Sequence, residues 1–328
     1  MILRAVASVL PRGCAVVAAL AGSTLAQEYP VKPVRVLVGF APGGPADLVV
    51  RPYAQKLHEY FGQPMVIDYR AGANGVIATD LVAKSPPDGY TLLATTSGFS
   101  MNPVTFAKLP FDTLKDLAPV SLTAQSDIAF MVNPIVPARS VKEFIAIAKA
   151  REARKQPMTY ASSGTGGTLH LGAEMLKLAA GIDMLHVPYK GASLAMADVI
   201  GGHVDVMFIS VPPAIPQVKA GKLRALGTAS PKRARGLPDV PTFMELGYAD
   251  FEVDSRYGLV APGGTPREIV NKLSAGVVKA AQSADLKERY AGLGLEPLSS
   301  TPEQYADQVR NAIVRWRKVI AAAKIVPQ

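Results

Sequence analysis

Cysteine occurs once in 328 residues, at Cys14, and that one lies in an N-terminal stretch that reads as a cleavable leader. After it, disulfide frameworks, thiolate metal sites and cysteine nucleophiles are excluded, as suits an oxidising compartment. Histidine is also scarce. His58, His170, His186 and His203 fall at no metal-ligand spacing, so no metal site is expected. The Gly-x-Ser-x-Gly elbow and the His-Glu-x-x-His helix are missing. Gly164-Thr165-Gly166-Gly167-Thr168-Leu169 puts a leucine where a dinucleotide turn needs its third glycine, and no glycine loop carries the Lys-Ser/Thr of a P-loop. No cofactor is expected. Asp47, Lys190 and Asp205 remain as isolated candidate bases without a nucleophile at recognisable spacing, so the chain is not expected to be an enzyme. Past the leader, no apolar run approaches the length of a spanning helix, about 20 residues, and a soluble protein is expected.

What is present begins with that leader, residues 1–26. Arg4 and Arg12 supply positive charge, Gly13 to Leu25 is apolar, and Thr24-Leu25-Ala26 offers small residues for cleavage before Gln27. The pattern predicts an exported, periplasmic protein. Lys and Arg total 35 against 26 Asp and Glu, a net charge of +9. This excess favours small anions but is too scattered for nucleic acid. Its densest cluster, Lys232, Arg233 and Arg235, sits in a Pro-flanked loop and reads as solvated surface.

Short β-branched runs alternate with helical stretches. Val34–Phe40, Met65–Asp68 and Tyr90–Thr95 are predicted strands, separated by helices over Ala46–Phe61 and Val76–Lys84. The pattern returns with strands at Met158–Ala161, Met184–Val187 and Val204–Phe208 and helices at Val141–Ala150, Thr168–Ala180 and Ser193–Ile200. Such alternation implies an α/β fold with mostly parallel sheets flanked by helices. Residues 27–126 with 254–328 are read as one lobe and 127–253 as the other. Crossings near Ile128–Val132 and Tyr257–Val260 are expected to form the hinge. Trp316, with Val309, Ile313 and Ile320 at helical spacing, reads as core.

In such sheets ligands sit beyond the carboxyl ends of the strands, where loops enter helices. Four loops occupy that position. Lobe 1 supplies Phe40-Ala41-Pro42-Gly43-Gly44-Pro45-Ala46-Asp47, Arg70-Ala71-Gly72-Ala73-Asn74-Gly75 and Thr95-Thr96-Ser97. Lobe 2 supplies Ser162-Ser163-Gly164-Thr165-Gly166-Gly167-Thr168. Glycine allows close backbone approach and Ser/Thr add donors, so these loops suit a carboxylate without any arginine. His170 is a candidate cleft residue. Asp47 either caps its own loop or fixes a ligand amine.

The motifs Pro42-Gly43-Gly44-x-x-Asp47-x-x-x-Arg51, Lys84-Ser85-Pro86-Pro87-Asp88-Gly89-Tyr90-Thr91-Leu92-Leu93, His186-Val187-Pro188-Tyr189-Lys190-Gly191 and Leu237-Pro238-Asp239-Val240-Pro241-Thr242 recur in order along the chain. Together they resemble the Bug-type, TctC-like substrate-binding proteins of tripartite tricarboxylate transporters. The resemblance implies a two-lobed fold of the type II periplasmic binding-protein kind, a Venus flytrap, with no cofactor. It implies a dicarboxylate, tricarboxylate, acidic amino acid or aromatic acid as ligand, and transporter membrane components as partners. It places one ligand carboxylate against Phe40, Pro42, Gly43, Gly44, Asp47, Ala73 and Asn74. Thr95, Thr96, Ser97, Ser162, Gly164, Thr165, Gly166, Thr168, Tyr189 and Ser210 are expected around the rest. Where many members carry a Trp-Phe-Gly-like sequence, this chain has Arg256-Tyr257-Gly258, and Arg256 is expected to face the cleft as a second carboxylate donor. A monomer is favoured. The alternatives are a sensor that signals to a receptor and an enzyme on the same scaffold.

Overall fold

In the computed structural model, which describes residues 29–249, 251–322 and 327, glycine and proline punctuate the chain as their backbone preferences dictate. The leader expected over residues 1–26 lies outside these residues. The elements are β1 (Val34–Val38), α1 (Pro45–Phe61), β2 (Met65–Tyr69), a 3-10 turn (Ala73–Gly75), α2 (Val76–Ala83), β3 (Thr91–Thr95), α3 (Gly98–Thr105) and β4 (Leu117–Val132). There follow α4 (Val141–Ala153), β5 (Met158–Ser162), α5 (Thr168–Ala180), β6 (Met184–Pro188), α6 (Ala192–Ile200), β7 (Val206–Ser210), α7 (Val211–Lys219) and β8 (Arg224–Thr228). The chain closes with β9 (Asp254–Pro262), α8 (Arg267–Gln282), α9 (Ala284–Leu293), β10 (Glu296–Pro297) and α10 (Pro302–Ala322). Pro45 opens α1, where a missing N–H costs nothing, and Gly62 closes it at φ 70°. Ser140 caps α4, its hydroxyl accepting from the Glu143 N–H at 3.2 Å.

The strands run in the order β2-β1-β3-β9-β4-β7-β5-β6, with β8 and β10 also paired to β4. Only β2-β1-β3 and β6-β5-β7 are parallel. The sheets are therefore mixed rather than mostly parallel, because β4 and β9 run antiparallel to all their neighbours. Strand β4 serves both halves. Leu117–Asp127 pairs with β9, and Ile128–Val132 pairs with β7 and β8. The fold is a two-lobed, mixed α/β architecture. The expected crossing near Tyr257–Val260 lies elsewhere: those residues sit within the first sheet, and β9 leaves it at Asp254.

One apolar cluster lies within the first half, and a larger one runs from Leu37, Leu93 and Trp316 of that half into the second. Val34, Val36, Val38, Tyr53, Leu57, Leu273 and Tyr290 belong to one cluster, and Phe144, Phe208 and Phe243 gather around Phe130 in the other. All five residues of β7 are buried, as expected of a strand covered on both faces.

Candidate ligand-binding site

Four helices from both halves begin at one cavity. It encloses, together with its open mouth, about 440 Å³ and is lined by Gly44, Pro45 and Ala46 from the start of α1, Thr168 and Leu169 from α5, Ala192 from α6, and Ser210 just before α7. Phe40, Asn74, Thr96, Ser163, Ser255 and Tyr257 complete the wall. Every lining side chain is uncharged. The first N–H groups of a helix have no intrahelical partner and carry the positive end of its dipole. Those of α1, α5 and α6 give a positive potential without any arginine or lysine in the wall, while α7 adds little because Pro212 and Pro213 carry no N–H.

The loops close on one another here. The Ala41 N–H donates to the Lys190 carbonyl at 3.3 Å, and the Ser193 hydroxyl donates to the Pro42 carbonyl at 3.0 Å. Asn74 sits at the centre, 5% exposed. Its side-chain amide donates to Asn102 Oδ1 at 2.8 Å and its carbonyl accepts from Asn102 Nδ2 at 3.3 Å. Ala73, Asn74 and Gly75 have φ of 46°, 50° and 86°, a left-handed run that asparagine and glycine tolerate best. A Cβ on Gly167 would lie 2.5 Å from Asn74 Oδ1, and one on Gly191 3.0 Å from the Ala41 nitrogen. Glycine at these points lets the two halves touch.

Of the sequence-predicted residues, Phe40, Gly44, Asn74, Thr96, Thr168 and Ser210 line the cavity. Pro42, Gly43 and Ala73 lie in its bordering loops. The Ser210 hydroxyl bonds Ser255 Oγ at 3.1 Å and Tyr257 Oη at 3.0 Å, tying β7 to β9; burial pushes the Tyr257 phenol up to about 12. Asp47 is turned away. It accepts from the Gly43 N–H at 2.9 Å, from the Tyr69 hydroxyl and from Arg51 Nε at 2.7 Å. Burial opposes its ionisation, yet the bonds from Tyr69, Gly43 and Arg51 outweigh it and hold the carboxyl below its usual range. Asp47 thus caps its own loop. Thr95 bonds the Tyr305 hydroxyl at 2.6 Å, Ser97 accepts the Arg256 N–H at 2.8 Å, and Tyr189 donates to Asp198 at 2.5 Å. Thr165 is half-buried beside the cavity.

Ser162, Gly164, Gly166 and His170 form the loop's underside. Ser162 Oγ meets His186 Nε2 at 2.7 Å and accepts from the Gly164 N–H at 3.2 Å, while Gly166 donates to His170 Nδ1 at 3.1 Å. The expectation that His170 lies in the cleft is corrected: it sits behind the loop, stacked on His186 at 4.2 Å. Arg256 is corrected too. Side chains alternate along a strand, so with Ser255 and Tyr257 facing the cleft, Arg256 lines a separate cavity with Gln308, Arg315 and Trp316. Alternation puts Ser255 and Tyr257 on one face, but only the structure shows that this face meets the cleft; the sequence reading missed both, along with Leu169 and Ala192, while Ser163 lay within a loop it named. Among the described residues no group of three or more His, Cys, Asp or Glu could hold a metal ion. No described helix is long and apolar enough to cross a membrane.

A family model described as "Tripartite tricarboxylate transporter family receptor" matches residues 49–325. The chain belongs to this family. Among solved structures, the periplasmic binding protein BugD is 32% identical with a TM-score of 0.88, covering 92% of this chain and 100% of that one. Two family relatives from Rhodopseudomonas palustris were solved with acids. Rpa4515 with adipate is 33% identical at a TM-score of 0.87, covering 92% of this chain and 100% of that one. MatC with bound malate is 32% identical at 0.84, covering 89% and 100%. The chain thus shares the two-lobed fold of these periplasmic binding proteins.

Proposed function

We propose that this receptor captures a small carboxylate between its lobes in the periplasm and delivers it to the membrane components of a tripartite transporter, without chemical turnover. The observation that carries the reading is the meeting of the first turns of α1, α5 and α6, drawn from both halves, with the Ser210 hydroxyl before α7, on a cavity walled only by uncharged side chains. A carboxylate there satisfies N–H groups from both lobes at once, so ligand and closure stabilise each other. The acids bound by Rpa4515 and MatC are dicarboxylates, which supports the same class here. We take residues 27–126 with 254–328 as one lobe and 127–253 as the other. Phe40, Gly44, Asn74, Thr96, Ser163, Thr168, Ser210, Ser255 and Tyr257 are the ligand contacts, and residues 1–26 are the export signal.

A thermal-shift screen of protein refolded after unfolding, against mono-, di- and tricarboxylates, tests this. A ligand that binds only the folded state stabilises it by about 2.7 kcal/mol at 100 times its Kd. One acid class should raise the melting temperature and be recovered unchanged. No shift with any acid overturns the reading.

A further inference from the structure

We infer that His170 is a positioning residue for the ligand loop: as a neutral ring it accepts the Gly166 N–H and holds Ser163–Thr168 in its ligand-receiving form, and taking up a proton releases it. The inference rests on the reading of the cleft as the acid-binding site.

The geometry fixes which nitrogen matters. Gly166 is buried, with φ 75°, and its N–H points at His170 Nδ1 from 3.1 Å. Nδ1 must carry a lone pair, so the proton of the neutral ring resides on Nε2. A second proton can enter only at Nδ1. There it turns the acceptor into a donor facing another donor, and the bond is lost. Gly166 sits close against Thr105, where an added Cβ would lie 2.7 Å from its side chain, and Ser163 and Thr168 on either side line the cavity.

The surroundings make the proton costly while the loop is in place. His186 of β6 stacks face-on at 4.2 Å, and Tyr160 of β5 stacks at 6.1 Å. On its own helix, Glu174 Oε1 lies 3.9 Å from Nε2, already engaged by Tyr160 at 2.5 Å and Lys177 at 3.0 Å, and Lys177 also pairs with Asp183. Burial lowers the pKa of His170, Glu174 opposing and Lys177 assisting. His186 is driven to about 3 by burial and by its neighbours His170 and Lys177.

Ligand binding should therefore weaken with acid, approaching ten-fold in Kd for each pH unit below the His170 pKa. The experiment measures Kd by calorimetry from pH 8 to 5 for the wild type, His170→Asn and His170→Leu, using the dicarboxylate that gives the largest thermal shift. Asn offers Oδ1 near the position of Nδ1 but does not titrate, so it should keep wild-type affinity at pH 8 and stay flat where the wild type weakens. Leu should bind poorly throughout. The difference between wild type and Asn removes the ligand's own protonation. Parallel profiles for the two would overturn the inference. A ligand-free test stands apart from the cleft reading: in wild-type protein the Gly166 amide resonance should follow the His170 titration, and an amide indifferent to it also overturns the inference.

Discussion

Gly167 has ordinary backbone angles, φ −83° and ψ 170°, so glycine is not needed there for conformation. It is needed for space, because a Cβ would sit 2.5 Å from the side-chain oxygen of Asn74 in the facing half. Asn74 cannot yield easily while its amide donates to Asn102 Oδ1 at 2.8 Å and its carbonyl accepts from Asn102 Nδ2 at 3.3 Å. The Gly167→Ala variant should therefore fold, losing at most about 1 kcal/mol for the poorer N-cap. It should also bind its acid at least ten-fold more weakly, since the closed state alone meets the clash. Calorimetry beside a ligand-free melt separates the two effects. A variant that lost stability but kept its affinity would place the cost in the fold, not in closure.

In the proposed site helix N-termini take the place of arginines. Ser193 lies in the first turn of α6, its hydroxyl on the Pro42 carbonyl. Ser193→Asp puts a carboxylate where the dipole welcomes it, stabilising the helix by about 0.3–1 kcal/mol. The same charge neutralises the potential that draws the ligand and faces a carbonyl across the closure. The melting temperature without ligand should hold or rise while acid affinity drops by ten-fold or more, a loss eased by salt. Unchanged affinity would show that α6 contributes nothing to the anion's field. Elements of this kind were legible in sequence where local signals agree, as at Pro45 and Gly62 around α1 or Ser140 before α4. Helix α7 was not, because Pro212, Pro213 and Pro216 read as breakers; the first two stand in the opening turn, where no N–H is required. Helix α3 lacks a side-chain cap and carries Pro103; packing against α10 sustains it. The first half of β4 hid behind Pro119 and two register shifts against β9. The Gly/Ser loops of the site were readable from composition. Which face of β9 met the ligand was not, until the register put Ser255 and Tyr257 on one side.

For the whole molecule, the cleft is held shut by few direct bonds. Ala41 to Lys190 and Ser193 to Pro42 contribute about 1 kcal/mol each at best, so ligand contacts decide how far closure is populated. Overall stability depends instead on packed side chains, and two imidazoles, the buried His170 and the half-buried His186, make it sensitive to acid. His186 and His170 both have folded pKa values below the roughly 6.5 of an unfolded histidine. Below pH 6.5 the unfolded chain binds protons at these rings that the folded chain refuses. Stability is then full above that pH and is lost as the pH falls toward the folded values. With His186 near 3, the loss from this half-buried ring is at most about 2 kcal/mol at pH 5, reduced by solvent screening. Asp47, held below its usual range, adds nothing until the pH approaches the unfolded carboxylate value near 4. Urea denaturation at pH 7.5 and 5 should show the drop without a change in m-value, and His186→Asn, which cannot take up the proton, should lose about that much of it. Equal midpoints at the two pH values for the wild type would mean that the stacked imidazoles are solvated enough to protonate in place.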